Sequence, residues 1–163
     1  MLRNKTLYLF LFLLIFLFNA CGVNKILRKA DVHFQQGEYA VAGDLYKKAY
    51  SRISYKDRPL RAETAFKQGE SYRFINLPRA EQTYQNAIRN KYADSIVYFR
   101  LAQMQQKNGK YRDAIQNYNT YLEAFPDDEL GINGLQGVMS LDSLKNNPSR
   151  FIITREKELN ATR

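Results

Sequence analysis

Gly109-Lys110-Tyr111-Arg112-Asp113-Ala114-Ile115-Gln116-Asn117-Tyr118-Asn119-Thr120-Tyr121-Leu122 decides the fold of this chain. Ala114, Tyr118 and Tyr121 follow one another in steps of four and three, the spacing that puts side chains on one face of a helix. The arrangement occurs twice upstream. It reads Gly37-Glu-Tyr39-Ala-Val-Ala42-Gly-Asp-Leu-Tyr46-Lys-Lys-Ala49 and then Leu77-Pro78-Arg79-Ala80-Glu-Gln-Thr-Tyr84-Gln-Asn-Ala87-Ile88. Ala80, Tyr84 and Ile88 precede Ala114, Tyr118 and Leu122 by 34 residues each, and Ala42 precedes Ala80 by 38. The four additional residues are expected in a longer connection around Ser54–Pro59. Self-similarity at this period is the signature of helix pairs stacked into a solenoid.

The pattern resembles the tetratricopeptide repeat (TPR), a helix–turn–helix unit with small and aromatic residues at set positions. In the third unit Leu101-Ala102 stands where helix A carries Leu-Gly/Ala, Gly109-Lys-Tyr111 makes the turn, and Pro126 ends the unit. The second unit has Gly69 and Tyr72 in helix A and a turn one residue short. The first has Ala30 in helix A and His33 where Tyr is usual. Ala42, Ala80 and Ala114 carry no bulk and should let helix B approach helix A. Tyr46, Tyr84 and Tyr118 share that face and should fill the core between repeats. Gly37 and Gly109 reverse the chain at low steric cost. Asp128 to Leu144 reads as one more helix, capping the exposed edge of the third repeat, although each of its three glycines costs about 1 kcal/mol relative to Ala. The expected fold class is all-α: a TPR-type solenoid of about three helix pairs plus a capping helix.

The N-terminus carries a separate signal. Arg3 and Lys5 precede an unbroken apolar run, Leu7 to Phe18, of 12 residues, followed by Asn19-Ala20-Cys21-Gly22. A membrane-spanning helix needs roughly 20 residues and a secretory h-region roughly 7–15. Cys21 is the only cysteine, so it has no internal disulfide partner. It stands where a bacterial lipoprotein signal peptide is cut and acylated, although Phe18 and Asn19 depart from the usual lipobox. The expected organisation is a signal peptide over 1–20, a TPR domain with its capping helix over 21–146, and a tail over 147–163. Within the tail Phe151-Ile-Ile-Thr154 favours β structure; it is read as a flexible end or as the lead-in to a missing β domain. Acyl chains on Cys21 would hold the mature protein at the membrane at about 0.8 kcal/mol per buried CH₂.

Charge and composition narrow the function. Removing Arg3 and Lys5 from 25 basic residues set against 16 acidic ones leaves +7 on the mature chain, with no run of five like charges. After a secretion signal, this fits a mixed surface facing anionic membrane and cell wall better than a nucleic-acid partner. One histidine, His33, and one cysteine cannot build a multi-histidine metal site or a Cys/His pair. Gly131-Ile-Asn-Gly134-Leu-Gln-Gly137 lacks the Lys-Ser/Thr of a phosphate loop. Asp127, Asp128 and Glu129 sit where a helix start stabilises negative charge. The reading is a non-enzyme with no cofactor and no metal.

Cys21-Gly-Val-Asn-Lys25-Ile-Leu-Arg-Lys-Ala30-Asp31, Leu45-Tyr-Lys-Lys-Ala-Tyr50-Ser51, Lys67-Gln-Gly-Glu-Ser-Tyr72-Arg73 and Asn147-Pro-Ser-Arg-Phe-Ile-Ile153, in this order, resemble the N-terminal part of the PorE-like outer-membrane lipoproteins of the type IX secretion system. The propeller, regulatory-like and OmpA-like domains of that family have no counterpart here, so its peptidoglycan contacts do not carry over. The resemblance implies an outer-membrane-anchored protein on the periplasmic face, acting as a protein–protein docking module in type IX secretion or envelope assembly. Alternatives are a TPR lipoprotein of β-barrel assembly and a cell-wall-binding accessory protein. Expected partners are envelope proteins, and the membrane through lipid on Cys21. Helix A positions that line the concave face of TPR arrays give a candidate groove: Asp31, Phe34, Phe66, Glu70, Arg73, Phe74, Phe99, Gln103, Gln106 and Lys107. Phe66 and Phe99 have a second reading, as residues packed between helices. The groove lacks the dense Lys/Asn set that grips a peptide carboxylate.

Overall fold

The computed structural model describes residues 22–146. The leader, Cys21, and the β-favouring run after Asn147 lie outside the described residues. Residues 22–35 are helical and form α1. Six helices follow: α2 (Tyr39–Arg52), α3 (Arg58–Tyr72), α4 (Leu77–Arg89), α5 (Ile96–Lys107), α6 (Tyr111–Ala124) and α7 (Glu129–Asn146). No strand occurs among the described residues, and none of their helices is long and apolar enough to cross a membrane. The all-α solenoid expected from the repeats is the fold observed.

Each helix pair closes as the sequence pattern requires. Gly37 and Gly109 adopt φ of +77° and +73°, the left-handed conformation that glycine reaches without a Cβ clash. Asp57 and Asn76 cap α3 and α4 by accepting from Leu60 N at 3.2 Å and Arg79 N at 3.0 Å, and Asp128 accepts from Gly131 N at 2.8 Å in α7. Ala30, Ala42, Ala80, Ala102 and Ala114 are fully buried where paired helices touch. Tyr46, Tyr84 and Tyr118 are among the largest fully buried side chains, so they are core, as their periodicity implied.

The 38-residue step is absorbed differently from the expectation. The connection between α2 and α3 is residues 53–57, shorter than residues 90–95 between α4 and α5. Instead α3 has 15 residues where α5 has 12, and the α3–α4 turn, residues 73–76, exceeds the α5–α6 turn, residues 108–110. That turn is therefore longer, not one residue short. Pro59 explains the first point: proline lacks an N–H, which costs nothing in a first helical turn, so Pro59 opens α3 and does not lengthen a loop. Arg61 fixes the joint. Its Nη1 donates to the Ile53 carbonyl at 2.9 Å and the Tyr50 carbonyl at 3.2 Å, and its guanidinium lies 4.0 Å from the Tyr50 ring centroid. A cation at these last carbonyls of α2 is favourably placed against the helix dipole.

The glycines of α7 also differ in role from the weak points anticipated. An added Cβ at Gly134 would stand 2.6 Å from Tyr118 Cε1, and one at Gly131 would stand 2.8 Å from Leu122 Cδ2. These two positions are seats that let α7 press onto α6. Gly137 is open, with only Gln106 Nε2 at 3.8 Å. The same residue type should therefore answer oppositely to one substitution. Gly137→Ala gains helix propensity and is expected to stabilise by up to about 1 kcal/mol. Gly134→Ala overpacks the Tyr118 ring and is expected to destabilise by about 1–3 kcal/mol. Urea denaturation followed by helical circular dichroism checks both signs.

Candidate functional site

The first helices of successive pairs form one continuous face, joined by side chains that cross from each to the next. Lys67 Nζ of α3 reaches Asp31 Oδ1 of α1 at 3.1 Å. Arg100 Nε of α5 lies 3.1 Å from Glu70 Oε1 of α3. Gln106 of α5 borders Gly137 of α7. A cleft of about 400 Å³ opens on this face, lined by Asp31, Phe34, Gln35, Tyr46, Lys67 and Glu70.

Buried tyrosines of the second helices reach through to this face and end on its polar residues. Tyr46 Oη donates to Asp31 Oδ1 at 2.6 Å, Tyr84 Oη to Glu70 Oε1 at 2.7 Å, and Tyr118 Oη to Gln106 Oε1 at 2.9 Å. Three of the predicted groove residues are thus acceptors that satisfy core hydroxyls. Burial raises the Tyr84 pKa above its ordinary value, and the Glu70 carboxylate raises it further. Burial and the Asp31 carboxylate act alike on Tyr46, and burial pushes Tyr118 up to about 12. Burial lowers the Lys67 pKa, but the Asp31 and Glu63 carboxylates outweigh it and the net direction is upward.

Glu70 is the hub of the face. Arg73 Nε approaches its Oε2 at 3.0 Å, opposite the Arg100 contact at Oε1. Both Nε atoms are buried without an aligned hydrogen-bond acceptor, so these are charge contacts first. The Arg73 guanidinium lies 4.2 Å from the Phe74 ring centroid. Phe74 is 51 % exposed and stacks on Tyr39 at 4.4 Å, and Tyr39 meets Phe34 edge-on at 5.4 Å. Arg100 Nη1 also donates to Gln103 Oε1 at 3.3 Å.

Of the ten predicted groove residues, Asp31, Phe34, Glu70, Arg73 and Phe74 come together around the cleft and its rim. Gln103, Gln106 and Lys107 follow along α5, with Lys107 exposed. Phe99 is a correction. It is 6 % exposed and packs on Tyr118 and Tyr121 with centroids 5.8 and 5.1 Å apart. Its helical angle carries it into the α5–α6 contact and away from the groove. Phe66 is half-buried and stacks face-on against Tyr92 at 4.4 Å. It belongs with the core between the second and third pairs.

Residues that the sequence reading missed are Lys67, Arg100 and Tyr39, and the leucines of α7. Leu130, Gly134, Gly137, Leu141 and Leu144 recur in steps of four and three along the side of α7 that passes Tyr118 and Gln106. Leu130 and Leu144 are 69 % and 61 % exposed.

Residues 61–129 match the family model described as Tetratricopeptide repeat. Solved structures with the same fold include the first TPR of Spaghetti (RPAP3) bound to an HSP90 peptide, with a TM-score of 0.64, 20% identity, and 74% of this chain and 93% of that one covered. The second TPR domain of human RPAP3 in complex with an HSP70 peptide gives a TM-score of 0.65 at 18% identity, covering 74% and 98%. The Sgt2 TPR domain from Aspergillus fumigatus gives a TM-score of 0.62 at 16% identity, covering 85% and 93%. No curated protein matches the chain.

The raised tyrosines set a pH dependence. A folded-state pKa above the unfolded value of about 10 means that the native state holds protons the unfolded chain has released, so stability falls as pH rises. For Tyr118 the loss should start near pH 10 and be complete near 12, the value to which burial pushes it. Phenolate absorbance and circular dichroism, followed together through alkaline titration, should show the buried tyrosines ionising with loss of helix and not before it.

Proposed function

We propose that this chain, a tetratricopeptide-repeat solenoid by its fold and by the family match over residues 61–129, is a protein–protein docking module that holds a partner segment on its inner face. The observation that carries the reading is the convergence of half-exposed aromatic and arginine side chains on that face. Phe34 lines the cleft, Arg73 pairs with the Glu70 carboxylate of its lining at 3.0 Å, and Phe74, 51 % exposed, lies against the Arg73 guanidinium. Aromatic and arginine side chains dominate binding hot spots. Phe34 is on α1, while Arg73 and Phe74 are in the short turn after α3, where contacts with Glu70 and Tyr39 hold them and limit the entropy lost on binding. The RPAP3 domains of the same fold hold peptides of HSP90 and HSP70, which supports a peptide-binding use of this architecture.

The setting we infer is the bacterial envelope, on the periplasmic side of the outer membrane, with acyl chains on Cys21 as the anchor. The apolar leader and the single cysteine after it support this reading. The order of motifs shared with the PorE-like lipoproteins supports a place in type IX secretion.

Two experiments test these readings. Arg73→Ala with Phe74→Ala should lower capture of the partner from envelope extracts at least tenfold, while Lys47→Ala with Lys48→Ala, two exposed positions of α2, should change it little. Equal loss from both pairs, with helix content intact in each, would remove the inner-face model. Cys21→Ala should abolish acylation, so that the protein leaves the membrane fraction or retains its leader. An unchanged membrane fraction and mature N-terminal mass would contradict the anchor.

A further inference from the structure

The inner face carries its charges in a fixed order. The Lys67 ammonium of α3 stands between two carboxylates, Asp31 of α1 at 3.1 Å and Glu63, one turn back on α3, at 3.4 Å. Toward the third pair, the Glu70 carboxylate stands between two guanidinium groups, Arg73 at 3.0 Å and Arg100 at 3.1 Å. One cluster has an excess negative charge and the next an excess positive charge. Among the described residues no other ion pair joins either cluster. Both remain open to a ligand: the Asp31 and Glu63 side chains are 38% and 56% exposed, and those of Arg73 and Arg100 are 26% and 25% exposed.

We propose that the groove takes an extended partner peptide with a basic side chain over Asp31 and Glu63 and an acidic side chain over Arg73 and Arg100, so that the order of the two charges sets the direction in which the peptide runs. This rests on the docking reading above and adds the chemistry of the partner to it. Opposite clusters side by side exclude polymers of one sign. A phosphate backbone or an anionic lipid surface that satisfied Arg73 and Arg100 would also meet Asp31 and Glu63, and like charges brought together at an interface oppose binding. A polypeptide can present both signs in sequence. Phe34 lines the cleft with Asp31 and Phe74 lies 4.2 Å from the Arg73 guanidinium, both packed on Tyr39, and they supply the apolar contact.

The test pans a phage-displayed library of random dodecapeptides against the full chain in detergent micelles. Expected are enriched peptides with Lys/Arg and Asp/Glu in one consistent order and spacing. The near-isosteric pair Asp31→Asn with Glu63→Gln should erase the preference for the basic residue and keep the acidic one. Arg73→Gln with Arg100→Gln should do the reverse. Each pair should weaken the best parent peptide about tenfold by fluorescence anisotropy, with circular dichroism confirming the fold. Enriched peptides without ordered charges, wholly acidic peptides, or preferences untouched by both pairs would overturn the inference and leave docking intact. The docking reading itself falls if no enriched peptide loses binding in Phe34→Ala with Phe74→Ala.

Discussion

A tyrosine ring seated on a glycine is the contact on which the stacking of this solenoid depends. Tyr72 lies against Gly43, Tyr84 against Gly69 and Tyr118 against Gly134, each so close that a Cβ on the glycine would stand 2.6 Å from the ring. The glycine brings two helix axes near enough for the ring to fill the space between them, and the ring gives back apolar area there. A phenol buried this deeply also needs an acceptor for its hydroxyl. Tyr72 ends on Asp44 at 3.0 Å, Tyr84 on Glu70 at 2.7 Å and Tyr118 on Gln106 at 2.9 Å. Packing and polar satisfaction are therefore met by one side chain at each step.

This geometry ties repeat to repeat as well as helix to helix. Glu81 of α4 is buried and accepts from Asn108 at 2.8 Å and Lys110 at 2.7 Å in the next turn. Asn90 Nδ2 donates to Tyr50 Oη at 3.1 Å across α4 and α2. A solenoid has no single central core, so its stability is close to a sum of neighbour terms. Polar ties at the turns complement the apolar seats within the helices, and together they set the angle between pairs. That angle shapes the inner face.

Much of this was legible in the spacing of a few residues. Tyr46, Tyr84 and Tyr118 announced helix pairs because a helical period combined with a 34-residue period has few other structural meanings. Gly37 and Gly109 announced turns because their positive φ is sterically open to glycine. The misreadings share a physical cause: a residue's role depends on the helix it faces, and sequence gives only the helix it belongs to. Phe99 shares a helix with groove residues, yet its angle points it at Tyr118 and Tyr121. Gly131 and Gly134 lower helix propensity by themselves, yet Leu122 and Tyr118 need that space. Lys67 and Arg100 have no role that sequence spacing could assign, because their partners lie 36 and 30 positions upstream and only the fold sets them side by side.

The hydroxyl acceptors have a further consequence for the groove. Asp31 and Glu70 face the cleft, but each also accepts a hydrogen bond from a tyrosine of the core. Leaving a buried hydroxyl without its acceptor costs about 1–3 kcal/mol, so these carboxylates are held by folding as well as by any ligand. Their positions are thus set before a partner arrives, and so are those of the cations they attract, Lys67, Arg73 and Arg100. A binding face built on such atoms loses little freedom on complex formation. On the docking reading proposed above, specificity would follow from the same contacts that close the fold: Asp31 and Glu70, which satisfy Tyr46 and Tyr84, are also the carboxylates that Lys67, Arg73 and Arg100 gather around.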